Sequence, residues 1–481
     1  MSEPVQLSRF DRTDDLVVMK FGGTSVEDDA AIRRLIGIVG SRRNARAVVV
    51  VSALAKVTDQ LLEAGRAAAS GHLGSALATV RNIYVRHEQL AEALVDGAAH
   101  SAPDGELRGE FKILESLLHQ VEAARPLDAR LQDQLLGFGE CFSCKLVTEA
   151  LSAAGLGASH VDARSCIITD ARHGQASPVW EATNQRVQQI VEPNLEDGRI
   201  PVLGGFIAAT DDGVPTTLGR GGSDFTAAII GAALGASRVE IWTDVDGVMT
   251  TDPKLCPDAR VIRRMSFDEA AELAHFGAKV LHPATLTPAM RENIPVFVLN
   301  SRRPQNEGTE ITADANHGHK VRAISAKRSV ASVEIAPRGK VDSELLGAIF
   351  SVFDRHSCSV DVLATSPGRI SLLVASTAPL PRIAADLRGI ADVGWKNHQA
   401  LICLVGENIR RQPEVASRVF ATVSDMDVRV FCQGASERTI SFLVEESKTE
   451  ESVRRLHAVF FPKVEPARDW GGISTAYCQA G

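Results

Sequence analysis

The sequence predicts an α/β protein: a largely parallel sheet sandwiched by helices, followed by two smaller α+β units. Three observations predict it. From Leu16 to Leu299, short β-branched runs alternate with segments of helical spacing, the pattern of a parallel sheet with crossover helices. A stretch rich in Pro, Asn, Gly and His, Arg302–Lys320, then interrupts the pattern. Beyond it a strand–helix series occurs twice, and Ile370-Ser-Leu-Leu-Val374 and Ile440-Ser-Phe-Leu-Val444 hold matching places in the two copies, the mark of an internal duplication.

Residues 1–14 are polar. Leu16–Met19 is a strand stopped by a lysine and two glycines, Asp28–Val39 has helical spacing, and Ala47–Val51 suits a central strand buried on both faces. Helices are expected over Thr58–Leu94 and Glu106–Ala153, then strands near His160–Asp162, Ile200–Leu203, Val239–Thr243 and Pro295–Leu299. Asp224–Leu234 and Ser266–Phe276 read as helices, the second opening with Ser266 and Glu269 at capping-box spacing. In the tail, strands are expected at Val330–Ile335, Ser359–Leu363, Ile370–Val374, Gln399–Val405, Val428–Phe431 and Ile440–Val444. The helices there are Asp342–Arg355, Pro381–Ile390, Pro413–Val423 and Glu451–Phe460. The resulting domains are 15–301, a linker 302–321, and two repeats at 322–397 and 398–475.

A chain of 481 residues needs more than one core. Its net charge of −8 gives no general attraction to nucleic acid or anionic lipid, and no apolar run approaches bilayer length. The Met-Ser-Glu-Pro start lacks a secretory signal. Eight cysteines in this length do not suggest a disulfide framework, and a reducing, cytoplasmic setting fits them. Cys141 and Cys144 form a CxxC without a second ligand pair at zinc-finger spacing, which reads as two small side chains on a buried helix; no metal site is expected.

Four motifs carry chemistry. Lys20-Phe21-Gly22-Gly23-Thr24-Ser25 lies at a strand–helix turn, where paired glycines let amides approach an anion and a lysine adds charge. That segment fits a phosphate cradle or a plain turn equally, and it is not a Walker A loop. Thr217-Leu218-Gly219-Arg220-Gly221-Gly222-Ser223-Asp224 sets an arginine and an aspartate among glycines. Such a guanidinium grips a carboxylate and such an acid receives an ammonium group, the two needs of a free amino acid; a structural salt bridge at a helix start is the plainer alternative. Trp242-Thr243-Asp244-Val245-Asp246-Gly247 runs from a strand into an acidic turn, followed by Met249 and by Thr250-Thr251-Asp252-Pro253-Lys254, either a ligand site or ordinary turns. Phe276-Gly277-Ala278-Lys279-Val280-Leu281-His282-Pro283 offers a lysine that could reach a phosphate or stay solvated, while His282 reads as structural. Gly137-Phe138-Gly139-Glu140 and Ser52 with Thr58 add a carboxylate and hydroxyls.

Taken in order, KFGGTSV, GFGE, TTLGRGGSD, WTDVDGV, TTDP and FGAKVLHP resemble the aspartate kinases of the amino-acid kinase family. The tail resembles their paired, ferredoxin-like ACT regulatory domains, and the chain ends too soon for a fused homoserine dehydrogenase. The resemblance is strongest to the monofunctional lysine-sensitive type. It implies phosphoryl transfer from ATP, with Mg2+, to the β-carboxylate of L-aspartate, giving 4-phospho-L-aspartate, the first step of lysine, threonine and methionine biosynthesis. Lys20 and Asp224 are the implied catalytic residues. Thr58, Glu140, Arg220, Gly221, Gly222 and Ser223 are implied for substrate. Lys20, Phe21, Gly22, Gly23, Thr243, Asp244, Met249, Lys254, Lys279 and Val280 are implied for nucleotide. Ser359, Val360, Asp361, Thr365 and Ser366 fit the effector pattern. Met249 stands where many lysine-sensitive members carry a tyrosine, Pro367 replaces an expected acid, and Val341-Asp342-Ser343-Glu344 departs from the usual stretch. A homodimer or larger homo-oligomer, an amino-acid effector at the ACT domains, and neither nucleic acid nor membrane are the expected partners. Another small-molecule kinase of this fold, or an inactive amino-acid sensor, is the alternative.

Overall fold

The computed structural model describes residues 15–42, 45–94, 103–277, 283–314, 320–433 and 436–462. The chain forms two units, Met1–Thr250 with Arg260–Arg322, and Thr251–Ala259 with Ala323–Gly481.

In the first unit, β1 (Leu16–Phe21) leads through a glycine turn into α1 (Asp29–Gly40), capped where Asp28 accepts from the Ala31 amide. β2 (Arg46–Val51) follows, and both strands are buried almost throughout, as unbroken Val runs require between two helical layers. Four helices come next: α2 (Val57–Ala69), α3 (Leu73–Leu94), α4 (Pro103–Ala124) and α5 (Ala129–Ala153). They share one apolar core with the sheet, in which Phe111 stacks on Phe142 at 4.2 Å between ring centres. Then follow β3 (Ala158–Val161), α6 (Ala163–Cys166), α7 (Trp180–Glu196), β4 (Ile200–Gly204), and a hairpin of β5 (Ile207–Ala209) and β6 (Pro215–Thr217). α8 (Gly222–Leu234), β7 (Arg238–Thr243), β8 (Arg264–Ser266), α9 (Phe267–His275), α10 (Thr287–Arg291), β9 (Val296–Asn300) and β10 (Thr309–Thr312) complete the unit. The expected capping box on α9 is present: the Ser266 hydroxyl accepts from the Glu269 amide while the Glu269 carboxylate accepts from the Ser266 amide.

The eight-stranded sheet runs β3-β4-β2-β1-β7-β9-β10-β8. Every neighbouring pair is parallel except β9 with β10. The chain builds outward from β1 through β2 and then returns to its other side with β7. A crevice therefore opens beyond the carboxyl end of β1, where open α/β sheets bind ligands.

The second unit holds β11 (Ala323–Pro337), α11 (Ser343–Arg355), β12 (Val360–Ser366), β13 (Arg369–Ala375), α12 (Leu380–Leu387), β14 (Ala391–Val405), α13 (Pro413–Thr422), β15 (Phe431–Gln433), β16 (Thr439–Glu445) and α14 (Thr449–Phe460). Its six strands form one sheet, β12-β13-β11-β14-β16-β15. The two central strands serve both repeats. Residues 330–335 of β11 pair with β13, whereas Ala323–Lys327 pair with Leu401–Val405, next to β16. Both strands change direction at a left-handed residue, Ser329 (φ 56°) and His398 (φ 57°), where the register also shifts. The strand that completes the second repeat thus comes from ahead of the first.

Two segments depart from the expected domain division. Thr309–Thr312, placed in the linker, pairs with both β8 and β9, with Thr309 and Ile311 alternating as its buried side chains. Thr251–Ala259, placed in the first domain, packs with the second unit, where Arg454 donates to the Leu255 carbonyl at 2.9 Å.

Candidate active site

Lys20 is the next-to-last residue of β1, and its ammonium lies 2.6 Å from the Asp224 carboxylate in the first turn of α8. Both side chains are nearly buried. The turn after β1 is held by the Gly22 amide donating to the Trp242 carbonyl at 3.0 Å and the Ala55 amide donating to the Gly23 carbonyl at 3.1 Å. A side chain at Gly23 would stand 2.9 Å from the Ala53 carbonyl oxygen, so only glycine lets these two strand ends meet.

The opposite wall is the start of α8. Gly221 caps it at φ 72°, in the left-handed region that glycine enters without penalty. The Phe206 amide donates to the Thr226 hydroxyl, which donates to the Gly222 carbonyl, both at 3.0 Å. The Gly222 amide donates to the Gly219 carbonyl at 3.0 Å, and the start of α8, the positive end of the helix dipole, borders the crevice.

Glu140 enters from α5 and is 3% exposed. Gly139 on the same helix brings it close to the sheet, because a methyl there would meet the Ala53 side chain at 2.8 Å. One carboxylate oxygen, Oε2, has no hydrogen-bond partner among the described residues. Burial pushes its pKa from 4.5 up to about 8, against the opposing pull of the Ala53 amide and the Lys20 charge. A buried carboxyl oxygen left without a partner beside a cleft is ready to receive a cation or a donor.

These elements enclose a cleft of about 360 Å³ that brings together Lys20, Gly23, Thr58, Glu140, Gly221, Gly222, Ser223 and Asp224. Arg220 stands in the turn beside them; it is exposed and has no ion-pair partner among the described residues. Phe21 is buried against Trp242, with ring centres 6.1 Å apart, so its side chain supports the cradle from below. Thr243 and the exposed Asp244 stand at the end of β7, their side chains 3.3 Å apart. Met249 is half-buried and bridges to Val261. Lys254 is exposed and belongs to the segment packed with the second unit. Lys279, Val280 and His282 lie outside the described residues.

Asp246 is occupied in a structural network, accepting from Asn300 at 2.7 Å and pairing with Arg303 at 2.6 Å. Cys141 and Cys144 are buried on α5, and burial pushes the Cys141 thiol up to about 12. Among the described residues no group of three or more His, Cys, Asp or Glu side chains is arranged to hold a metal ion.

Sequence reading missed three contributors. Lys56 lines the cleft from a left-handed position, φ 71°, just ahead of α2. Phe206, also left-handed at φ 65°, closes the floor. Neither residue type signals such a backbone, so nothing in the sequence marked them. Asp133 lies buried on α5, and its one sequence signal was an acid amid the apolar face of a helix.

In the second unit Asp361 is not free: the Lys327 ammonium lies 2.7 Å from its carboxylate. Ser359, Thr365 and Ser366 are exposed and Val360 is half-buried; all but Ser359 belong to β12, the edge strand of the sheet.

Fold and cleft together define a small-molecule phosphotransferase of α/β type joined to a duplicated α+β unit. Residues 15–300 match the model of the amino acid kinase family, and residues 402–460 match an ACT domain. Lysine-sensitive aspartokinase 3 of Escherichia coli (strain K12) is 35% identical over 459 residues, spanning 93% of this chain and 99% of its own length. The chloroplastic aspartokinase 2 of Arabidopsis thaliana is 34% identical over 461 residues, spanning 92% and 84%. The crystal structure of E. coli aspartokinase III with aspartate and ADP (R-state) superposes with a TM-score of 0.81 at 34% identity, over 93% of this chain and 100% of the other. The same enzyme with lysine and aspartate (T-state) gives 0.78 at 34% identity, over 93% and 99%. The chain belongs to the amino acid kinase family, and within it to the aspartokinases.

Proposed function

We propose that this aspartokinase transfers the γ-phosphoryl group of ATP to the β-carboxylate of L-aspartate within the cleft between β1 and α8, under control of an amino acid bound at its ACT domains. The observation that carries the reading is the Lys20–Asp224 contact of 2.6 Å beside the Glu140 carboxyl, whose Oε2 has no hydrogen-bond partner among the described residues. The nucleophile is already ionised at neutral pH, so no general base is needed. What remains is alignment and charge compensation during an in-line displacement. Lys20 and the Gly23 amide face the transferring phosphate, the Gly22 amide bracing the turn through the Trp242 carbonyl, while Asp224 orients Lys20. Arg220 grips the α-carboxylate through its guanidinium, and Glu140 takes the α-ammonium group, with Thr58, Gly221, Gly222 and Ser223 shaping the pocket. Thr243, Asp244, Met249, Lys254, Lys279 and Val280 are assigned to the nucleotide by their motifs.

Mg2+ bound with the nucleotide supplies charge neutralisation of the phosphates. The donor set suits an ion carried mainly by phosphate oxygens, since the described residues offer no cluster of three ligands. Regulation is supported by the relative crystallised with lysine and by the open edge strand β12, on which a second copy could pair to give a homodimer or larger assembly. A cytoplasmic setting is supported by the buried free thiols of Cys141, Cys144, Cys166 and Cys256. No helix among the described residues is long and apolar enough to cross a membrane. Trapping the acyl phosphate with hydroxylamine tests the reading: the hydroxamate should form with aspartate and ATP, and its absence from active-site-intact protein would refute the assignment.

A further inference from the structure

Asp133 is a buried carboxylate that the reaction above does not use. It lies on α5 two turns ahead of Glu140, 1% exposed. Three groups converge on it. The Thr217 hydroxyl donates at 2.6 Å, the Gly174 amide at 2.9 Å, and His173 Nδ1 stands at 2.9 Å. Thr217 opens the Gly219–Arg220–Gly221 turn, and residues 173–174 form the loop against which that turn rests. The two segments are further tied by the Ala176 amide donating to the Thr217 carbonyl at 2.9 Å. Their contact is close, since a side chain at Gly219 would lie 3.0 Å from the Gly174 carbonyl oxygen. The loop also has its own brace, the Asp170 carboxylate accepting from the Ser177 amide at 3.0 Å.

A carboxylate that accepts from three donors on two loops fixes both loops relative to its own helix. We propose that Asp133 is a positioning residue for the amino-acid substrate: it locks the Arg220 turn to the helix that carries Glu140. The carboxylate grip and the ammonium site are then held at one fixed spacing, set by α5. The nucleotide cradle is built from β1 and β7 and does not pass through Asp133, so the effect falls on one substrate only. This inference rests on Arg220 and Glu140 holding the two ends of aspartate.

The test is steady-state kinetics of Asp133→Asn, Thr217→Val and their double variant, beside Arg220→Ala, with hydrogen exchange read over 170–178 and 214–222. Asp133→Asn keeps the shape but turns a donor toward the Gly174 amide. It should raise the KM for aspartate by about tenfold or more with the KM for ATP changed by less than about twofold. Thr217→Val, which removes one bond and no charge, should shift the same constant by about threefold, and the double variant should be no worse than Asp133→Asn alone. Exchange in both loops should quicken while α8 keeps its protection. Unchanged aspartate KM, or equal increases for both substrates, would overturn the proposal. If Arg220→Ala leaves the aspartate KM unaltered, the arginine's assignment falls instead, and loop exchange in Asp133→Asn still decides whether Asp133 locks the turn.

Discussion

The Lys20 ammonium and the Asp224 carboxylate meet at 2.6 Å, joining the carboxyl end of β1 to the first turn of α8. The pair lines the cleft and fixes a cation there that can face a phosphate. Removing either partner leaves a nearly buried charge uncompensated, which costs about 3 kcal/mol or more. Lys20→Met and Asp224→Asn should each lower kcat by about a thousandfold. Each should also melt at lower temperature than the double variant, which removes both charges. Turnover within about tenfold of the parent in either single variant would contradict the assignment.

Glu140 makes stability depend on pH. Its carboxyl is fully buried and its pKa stands near 8 rather than 4.5. Between those values the folded chain retains a proton that the unfolded chain has released, so stability falls as pH rises through that window. Glu140→Gln should therefore melt together with the parent near pH 5 and above it at pH 8.5, by an amount worth a few kcal/mol at most. Aspartate binding brings an ammonium group to this carboxyl and should expel its proton at pH 7. Calorimetry in buffers of different ionisation enthalpy should register proton release for the parent and none for Glu140→Gln.

Close packing behind the site predicts a contrast between glycines. A side chain at Gly205 would come within 2.7 Å of the Ser223 Cα, so Gly205→Ala must shift the start of α8. It should cost about 1–3 kcal/mol and reduce activity. Gly109 lies within α4 with nothing near its missing side chain, and Gly109→Ala should stabilise by about 0.5–1 kcal/mol with activity unchanged. Thermal melts of the two variants check both signs.

Lys327 lies 2.7 Å from the carboxylate of Asp361, a residue that fits the effector pattern. An amino acid binding there must displace it. Lys327→Met should lower the effector concentration for half-maximal inhibition by about threefold or more, in titrations with lysine, threonine and methionine, singly and combined. An unaltered response to all three would separate Asp361 from the effector site.

The parts of this molecule legible in its sequence are those that obey one local rule. The Val runs of β1 and β2 and the Ser266–Glu269 box on α9 required no tertiary information. α7 escaped notice because Trp180–Glu196 is polar and contains Pro193, although Thr183, Val187, Val191 and Leu195 form a buried stripe at four-residue spacing. Thr309–Thr312 read as linker because turn formers surround it, and its strand character comes from neighbours supplied by β8 and β9. In the regulatory unit the repeats were legible, but the strand shared between them was not. Ala323–Lys327 pairs with the distant Leu401–Val405, and no local pattern announces that exchange. The cleft shows the same division. Glycine-rich motifs gave Lys20, Gly221 and Asp224, whereas Lys56, Phe206 and Asp133 act through backbone twist or burial that only the folded chain displays.

Arg220 supplies the sharpest trial of the whole account, because it alone is assigned to the group that all α-amino acids share and β-alanine lacks. Acyl-phosphate formation should be measured for Arg220→Ala and parent with L-aspartate, and with β-alanine, whose single carboxylate is the phosphoryl acceptor. The parent should favour aspartate strongly, and the variant should lose most of that preference by falling in kcat/KM toward aspartate while its rate with β-alanine stays unchanged. A variant that keeps the full preference for aspartate would contradict the grip of Arg220 on the α-carboxylate.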